Sequence, residues 1–225
     1  MLKSIHIRDR KMYDIILFDL DGTLTDPGEG ITNSVAYALE KCGIPAPERS
    51  RLYKFIGPPL MDSFKLFYGF SEEQARKAVS YYREHFQEKG IWENQVYDGV
   101  EEMLKTLRNA GKRLLVATSK PELFARQILE HFDLAQYFEY IAGATMNETR
   151  NSKDAVIAYA LESCHVTDLS RTVMVGDREY DILGAKKVGL PAIGVLFGYG
   201  SEEELHAAGA AALAEKVEDI CGLVM

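Results

Sequence analysis

Cysteine is scarce in this chain. Cys42, Cys164 and Cys221 are the three among 225 residues, far apart and with no C-x-x-C pair. That excludes a disulfide framework and points to buried, inert thiols in a reducing cytoplasm. No apolar run approaches the roughly 20 residues of a membrane span. The segment Met1–Lys11 is polar and basic and lacks the apolar stretch of a signal peptide. It reads as an N-terminal extension, since Met12 would also serve as a start just before the first strand. Positive charge is in deficit too: 26 Lys and Arg against 34 Asp and Glu leave a formal charge of −8. A main partner of nucleic acid is thereby excluded, because phosphate backbones demand a basic surface. Internal repeats and low-complexity segments are absent. What remains is 47% hydrophobic and 27% charged, the balance of a soluble globular chain. Its length fits one large domain or a core with an insert.

Strand-like and helix-like segments alternate, which predicts an α/β fold with a Rossmann-like, mostly parallel sheet. The strand candidates are Asp14–Leu20, Arg113–Thr118, Tyr140–Gly143, Thr172–Gly176 and Ala192–Phe197. Helices are expected over Gly99–Asn109, Glu122–His131, Ser152–Ser163, Tyr180–Val188 and Ser201–Ala208. Gly111 and Gly189 supply helix stops, Ser152 an N-cap, and Ser201 with Glu204 the spacing of a capping box. The alanine-rich Ala207–Ala214 reads as a helix end and a small edge strand. From Thr25 to about Tyr97 the alternation breaks. Helical patterns follow one another over Gly30–Cys42, Ser50–Tyr53, Leu60–Tyr68 and Glu72–Lys89. The expected division is a core domain of residues 12–26 and 95–225 and an inserted α-helical cap of residues 27–94. Hinges fall at Asp26–Glu29 and Asn94–Asp98.

Four short stretches carry chemistry. The apolar run Tyr13–Leu17 leads into Phe18-Asp19-Leu20-Asp21-Gly22-Thr23. Side chains two apart on a strand point the same way, so Asp19 and Asp21 converge, and Gly22 permits a tight turn with an open backbone N–H. Leu114-Leu115-Val116-Ala117-Thr118-Ser119 delivers a hydroxyl at a strand end just before a helix N-terminus, a place suited to an anionic oxygen. Lys153 stands in a helix's first turn, where it opposes the macrodipole. Val173-Met174-Val175-Gly176-Asp177 ends a further strand, and Asp181 follows four residues on. Taken singly, each has a plain structural reading: an acidic turn, a helix cap at Thr118 or Ser119, a solvated lysine, a cap at Asp177. Together they sit at the ends of separate strands, where open α/β sheets bind ligands. Mg²⁺ takes octahedral oxygen ligands. Asp19, the Asp21 carbonyl and Asp177 would make such a set, with Asp181 holding a metal-bound water or Lys153. A locally positive site of this kind suits a small phosphorylated metabolite despite the net acidity.

These stretches resemble the four motifs of the haloacid dehalogenase-like superfamily: Asp-x-Asp-Gly-Thr, a strand-terminal Thr or Ser, a Lys, and Gly-Asp-x-x-x-Asp. The resemblance spans nearly everything from Met12 onward. Within the superfamily the chain looks like the phosphoglycolate-phosphatase-like branch with a helical cap. Local matches are Ile56-Gly57-Pro58-Pro59, Thr118-Ser119-Lys120-Pro121 and Gly194–Ser201. Many phosphoglycolate phosphatases carry Asn where this chain has Ser119, and some nucleotidases look equally similar. The resemblance implies a Mg²⁺-dependent phosphatase. Asp19 would be the nucleophile, Asp21 the general acid and base, and Thr118 and Lys153 the ligands of the phosphoryl oxygens. Gly22, Ser119 and Asp181 would support them. Aspartate at position 21 sets the chain apart from transport ATPases, which carry Thr there, and from the dehalogenases, which lack both this acid and the metal. Glu29, Thr32, Arg83, Gly57 and Pro58 are candidate substrate contacts from the cap. The aromatic residues Tyr53, Phe55, Phe64, Phe67, Tyr68, Tyr81, Tyr82 and Phe86 read as cap core rather than a stacking platform. The alternatives weighed are a β-phosphoglucomutase-like phosphomutase, with His85 as a weak cap candidate, a pyrophosphatase of the same fold, and a non-catalytic regulatory protein. The last would be expected to lack a catalytic residue, and none is missing. A monomer or homodimer is expected.

Overall fold

Four apolar residues, Ile15–Phe18, form the strand around which the rest is built. In the computed structural model, which describes residues 12–147 and 149–225, all four are buried. The extension over residues 1–11 lies outside the described residues. A strand buried on both faces needs cover from helices, and the chain supplies them in order. The elements are β1 (Ile15–Phe18), β2 (Thr25–Asp26), α1 (Gly28–Lys41), α2 (Leu60–Tyr68), α3 (Glu72–His85), β3 (Gln95–Val96), α4 (Val100–Asn109) and β4 (Arg113–Pro121). They continue with α5 (Glu122–His131), β5 (Tyr140–Ala144), α6 (Lys153–Ser163), β6 (Thr172–Gly176), α7 (Glu179–Lys187), β7 (Ala192–Val195), α8 (Glu202–Ala208), β8 (Ala212–Ala214) and α9 (Asp219–Val224).

Among the described residues, six strands make one parallel sheet in the order β5-β4-β1-β6-β7-β8. The chain runs outward from β1 on both sides, so β1 marks the switch point where connections diverge and a crevice opens. Register decides what faces that crevice. Phe18 pairs with Val116 on one side and Val175 on the other, so the three strands run in step where β1 ends. The residues that follow them emerge side by side. Strand β4 outruns its expected end at Thr118 and continues to Pro121, with a register shift against β5 between Ala117 and Pro121. This irregularity carries Thr118, Ser119 and Lys120 across the mouth of the crevice.

Residues 27–94 are mainly helical. Helix α3 packs against both α1 and α2. Helix α1 also lies tight against the turn that follows α3, where a Cβ on Gly30 would collide with the carbonyl oxygen of Gly90. The helix expected over Glu72–Lys89 instead ends at His85 and widens into a π-turn over Phe86–Gly90, closed by the Ile91 N–H donating to the Phe86 carbonyl at 2.8 Å. The segment read as a helix over Ser50–Tyr53 is two 3₁₀ turns, Arg49–Arg51 and Tyr53–Phe55. Where the chain leaves and rejoins the sheet, β2 and β3 pair antiparallel as a short neck. Apolar packing is continuous across the junction, from Leu20 and Phe124 to Ile31, Phe55 and Phe86.

Local capping departs from the sequence reading in two places. Ser152 precedes α6 but makes no side-chain cap bond. At α8, Ser201 accepts the Glu204 N–H, but the Glu204 carboxylate turns away to Arg178 instead of closing the box. The terminal α9 is held by burying Ile220 and Val224.

Candidate active site

The turn after β1 brings the first two acids to the crevice. Gly22 has φ +83°, and a Cβ there would collide with Asp177 Oδ2, so glycine is required for both backbone and space. Asp19 and Asp21 are 4% and 8% exposed. Lys153, in the first turn of α6, is equally buried despite its charge. Gly184 of α7 makes room for it, since a Cβ there would sit 2.7 Å from the lysine Cγ. Its ammonium lies 2.8 Å from Asp19 Oδ1 and 2.7 Å from Asp181 Oδ1, and donates to the Ala117 carbonyl at 3.1 Å. Burial opposes that charge, but the Asp181 and Asp19 carboxylates outweigh burial and raise the lysine pKa. The solvated-lysine reading is therefore excluded for Lys153.

A second buried lysine was not singled out from the sequence. Lys120 places Nζ 2.9 Å from Asp21 Oδ2 and 4.5 Å from the centre of the Phe86 ring. Its position within Thr118-Ser119-Lys120-Pro121 was the available signal. Only the β4 irregularity shows that it turns inward. Burial is the main force on Asp21 and raises its pKa; Lys120 opposes this, and the nearby Asp19 charge reinforces it. Thr118 is buried, and its hydroxyl accepts the Lys120 N–H at 3.2 Å while facing the same cavity.

Charge balance suits a divalent cation. The buried carboxylates of Asp19, Asp21, Asp177 and Asp181 face the buried lysines Lys120 and Lys153. Oxygens of Asp19, Asp177 and Asp181 lie within 4.8 Å of one another. Asp177 Oδ2 accepts the Tyr199 N–H at 2.8 Å, but its buried Oδ1 has no hydrogen-bond partner among the described residues. A buried carboxylate oxygen without a donor is costly unless a cation lies against it. Burial and the neighbouring Asp181 and Asp19 charges push Asp177 well above the usual carboxylate range. Burial lifts Asp181 to about 6, Lys153 pulling it down and Asp19 pushing it up. These oxygens fit a hard, oxygen-preferring ion, with Asp181 added to the set expected from the sequence.

The site opens into a cavity lined by Asp19, Asp21, Thr118, Ser119 and Lys120 from the sheet side. Gly57, Pro58, Arg83 and several aromatic side chains line it from the helical side. The aromatic group divides: Phe64 stacks on Phe70 inside the helical layer, whereas Phe55, Tyr82 and Phe86 of the group reach the cavity wall. Glu29 and Thr32 are not brought to it. Glu29 is exposed, 3.6 Å from Arg49, beside a separate hollow that includes Asp26 and Tyr199. Thr32 is buried, and its hydroxyl donates to the Gly28 carbonyl at 2.6 Å within its own helix. Their side chains offer nothing to a ligand beside Asp19. His85 is occupied elsewhere, 3.0 Å from the Ser34 hydroxyl.

A family model described as haloacid dehalogenase-like hydrolase matches residues 16–195. The chain belongs to this family. A 5'-nucleotidase of Pseudomonas aeruginosa is 49% identical over 195 residues, 87% of this chain and 88% of that protein. A protein named tyrosine-protein kinase PtkA from Mycobacterium tuberculosis is 42% identical over 83% of this chain and 63% of its own length. A phosphoglycolate phosphatase of Vibrio parahaemolyticus is 27% identical over 93% of this chain and 95% of that protein. Among solved structures, a predicted phosphatase from Clostridium acetobutylicum superposes with a TM-score of 0.91 at 50% identity, covering 94% of this chain and 97% of that one. The hydrolase core of the family is thus present here with its acids, hydroxyl and lysine in one crevice.

Proposed function

We propose that this hydrolase is a Mg²⁺-dependent phosphatase that cleaves a small phosphomonoester through an aspartyl-phosphate on Asp19. The observation that carries the proposal is the pair of unlike acids: Asp19 beside Lys153 and the Asp177–Asp181 cluster, Asp21 beside Lys120 and the cavity. The carboxylate of Asp19 attacks phosphorus while the bond to the leaving oxygen breaks, dividing one displacement into two. Asp21 gives its proton to that oxygen, for which its raised pKa is suited, and then takes one from the water that cleaves the acyl-phosphate. Lys153 and Thr118 hold the phosphoryl oxygens. Mg²⁺ held by Asp19, Asp177 and the Asp21 carbonyl, with Asp181 alongside, would offset repulsion between carboxylate and phosphate.

The helical cap shapes the choice of leaving group. Phe55, Tyr82, Phe86 and Phe124 wall the cavity beside Arg83 and Lys120. Such walls favour a leaving group with a large flat face, so a nucleoside monophosphate is the substrate class proposed ahead of phosphoglycolate. The protein acts in the cytoplasm as a monomer or homodimer, without nucleic acid or membrane partners. The test is hydrolysis of p-nitrophenyl phosphate with Mg²⁺, followed by kcat/KM for nucleoside monophosphates and phosphoglycolate. The expected result is turnover abolished by Asp19→Asn and a nucleotide preference of about 10-fold or more, about 1.4 kcal/mol of differential binding. Activity surviving Asp19→Asn overturns the covalent mechanism, and a preference for phosphoglycolate overturns the substrate class. Transfer of ATP phosphate to a protein tyrosine without release of inorganic phosphate overturns both.

A further inference from the structure

We propose that Arg178 is a positioning residue that latches the cap over the reaction centre, and that Glu204 holds the latch in place. The inference rests on the phosphatase reading above. Arg178 directly follows Asp177, and its backbone N–H donates to Asp181 Oδ2 at 3.0 Å, so its origin is tied to the acidic cluster. Its side chain leaves the core. Nη1 donates to the Ile56 carbonyl at 2.5 Å, a hydrogen bond that crosses from the sheet domain to the cap outside the β2–β3 neck. Nε donates to Glu204 Oε1 at 2.8 Å. Glu204 is itself held, because Oε1 also accepts the Glu179 N–H at 2.9 Å and the Glu204 N–H donates to Ser201 Oγ at 3.1 Å.

Local preference does not explain an arginine at this position. Arg178 precedes the first turn of α7, where a cation opposes the helix dipole. Its side chain is 14% exposed and that of Glu204 22%, so the pair is well shielded and its hydrogen bonds are charge-assisted. The cap loop lies on the arginine stem: Gly57 has φ +105°, and a Cβ there would meet Arg178 Cγ at 3.0 Å. That loop, Gly57 to Pro59, walls the cavity in front of Asp19. One arginine therefore joins the acidic cluster through its backbone, and the cap loop and α8 through its guanidinium. Opening the cap breaks the bond to Ile56, and a bound leaving group and the latch favour closure together.

Trp92 is the sole tryptophan, and its ring lies in the cap 4.9 Å from the His131 ring of α5, so its fluorescence reports the junction. Arg178→Met keeps the stem and removes the donors; Glu204→Gln keeps the shape and weakens the hold. For Arg178→Met the expected result is a KM for p-nitrophenyl phosphate raised about 10- to 100-fold, the range for loss of a charge-assisted bond, with kcat within about threefold. Arg178→Lys, which can satisfy one partner at a time, recovers part of the loss. In a Trp92 fluorescence titration with inorganic phosphate and Mg²⁺, the midpoint moves up by a comparable factor in Arg178→Met and less in Glu204→Gln. If Arg178→Met does not fold, as judged by its melting curve, Glu204→Gln carries the test with the same direction of change. Unchanged KM and midpoint, a fall in kcat at constant KM, or no fluorescence response in the wild type overturns the latch. Absence of wild-type turnover with an intact fluorescence response overturns the phosphatase reading and leaves the latch standing.

Discussion

Replacing Asp21 by Asn separates the two half-reactions. The side chain keeps its shape, and its amide oxygen can still accept from Lys120, which lies 2.9 Å from Asp21 Oδ2. In the proposed mechanism, what is lost is the proton that Asp21 gives and takes back. General acid–base catalysis by one positioned group contributes about 10²- to 10⁴-fold, or roughly 3–5 kcal/mol of barrier. The first half-reaction on p-nitrophenyl phosphate depends little on an acid, because nitrophenolate leaves without a proton. The second half-reaction needs the base whatever the substrate. Stopped-flow mixing of the variant with this substrate should therefore show a burst of nitrophenolate close to one equivalent. Steady turnover should then be about 10²- to 10⁴-fold below wild type. Intact-protein mass spectrometry during the stall should find one added phosphoryl group, absent from Asp19→Asn. Alkyl phosphates, whose leaving oxygen needs a proton, should give no burst. Steady turnover without a burst, or equal losses on aryl and alkyl substrates, would refute the division of labour between Asp19 and Asp21.

Two further outcomes follow from the acidic cluster. Asp181, lifted by burial to about 6 in the folded chain, has an ordinary carboxylate pKa near 4 when unfolded. A raised folded pKa contributes stability that is fully present below about pH 4 and is lost as pH rises through about 6, about 3 kcal/mol in all. Glu72, Glu101 and Glu139 are shifted downward by ion pairs and slope the other way, but identically with and without metal. The melting-temperature gain on adding Mg²⁺ to EDTA-treated protein should therefore grow from pH 5 to pH 7; a gain that is flat across that window refutes the cluster's role. Gly22→Ala forces a Cβ into Asp177 Oδ2 and strains a left-handed backbone by about 1–2 kcal/mol. Mg²⁺ affinity by calorimetry should fall about 10-fold or more, with activity falling in parallel, and wild-type affinity would refute the close approach.

The site needs both lysines and all four acids because each group is too expensive to bury alone. Asp177 and Asp181 repel each other, and Lys153 can neutralise only part of the excess. That crowding is why these side chains are nine-tenths buried yet remain polar, and why glycines crowd around them. Gly22, Gly176 and Gly184 each leave space that a neighbouring Asp177, Asp181 or Lys153 side chain fills.

Much of this was legible from residue order. A buried strand that ends in paired acids, a second that ends in a hydroxyl and a third that ends in Gly-Asp are local patterns, and periodicity alone locates them. The parallel alternation and the helical insert follow from the same spacing, because hydrophobic period is imposed by local backbone geometry. Side-chain direction in an irregular segment has no such period. Lys120 therefore passed as an unremarked neighbour of Thr118 until the β4 irregularity turned it onto Asp21. Glu29 and Thr32 lay at plausible positions on α1, yet the helix faces them away from the cavity. Arg178 and Ile56 are 122 residues apart, and only packing of cap on core makes them neighbours. The sequence by itself determined which chemical groups the sheet presents. Tertiary structure alone decided which charges neutralise one another and which cap surface meets the leaving group, because these depend on distances between segments with no local signal to connect them.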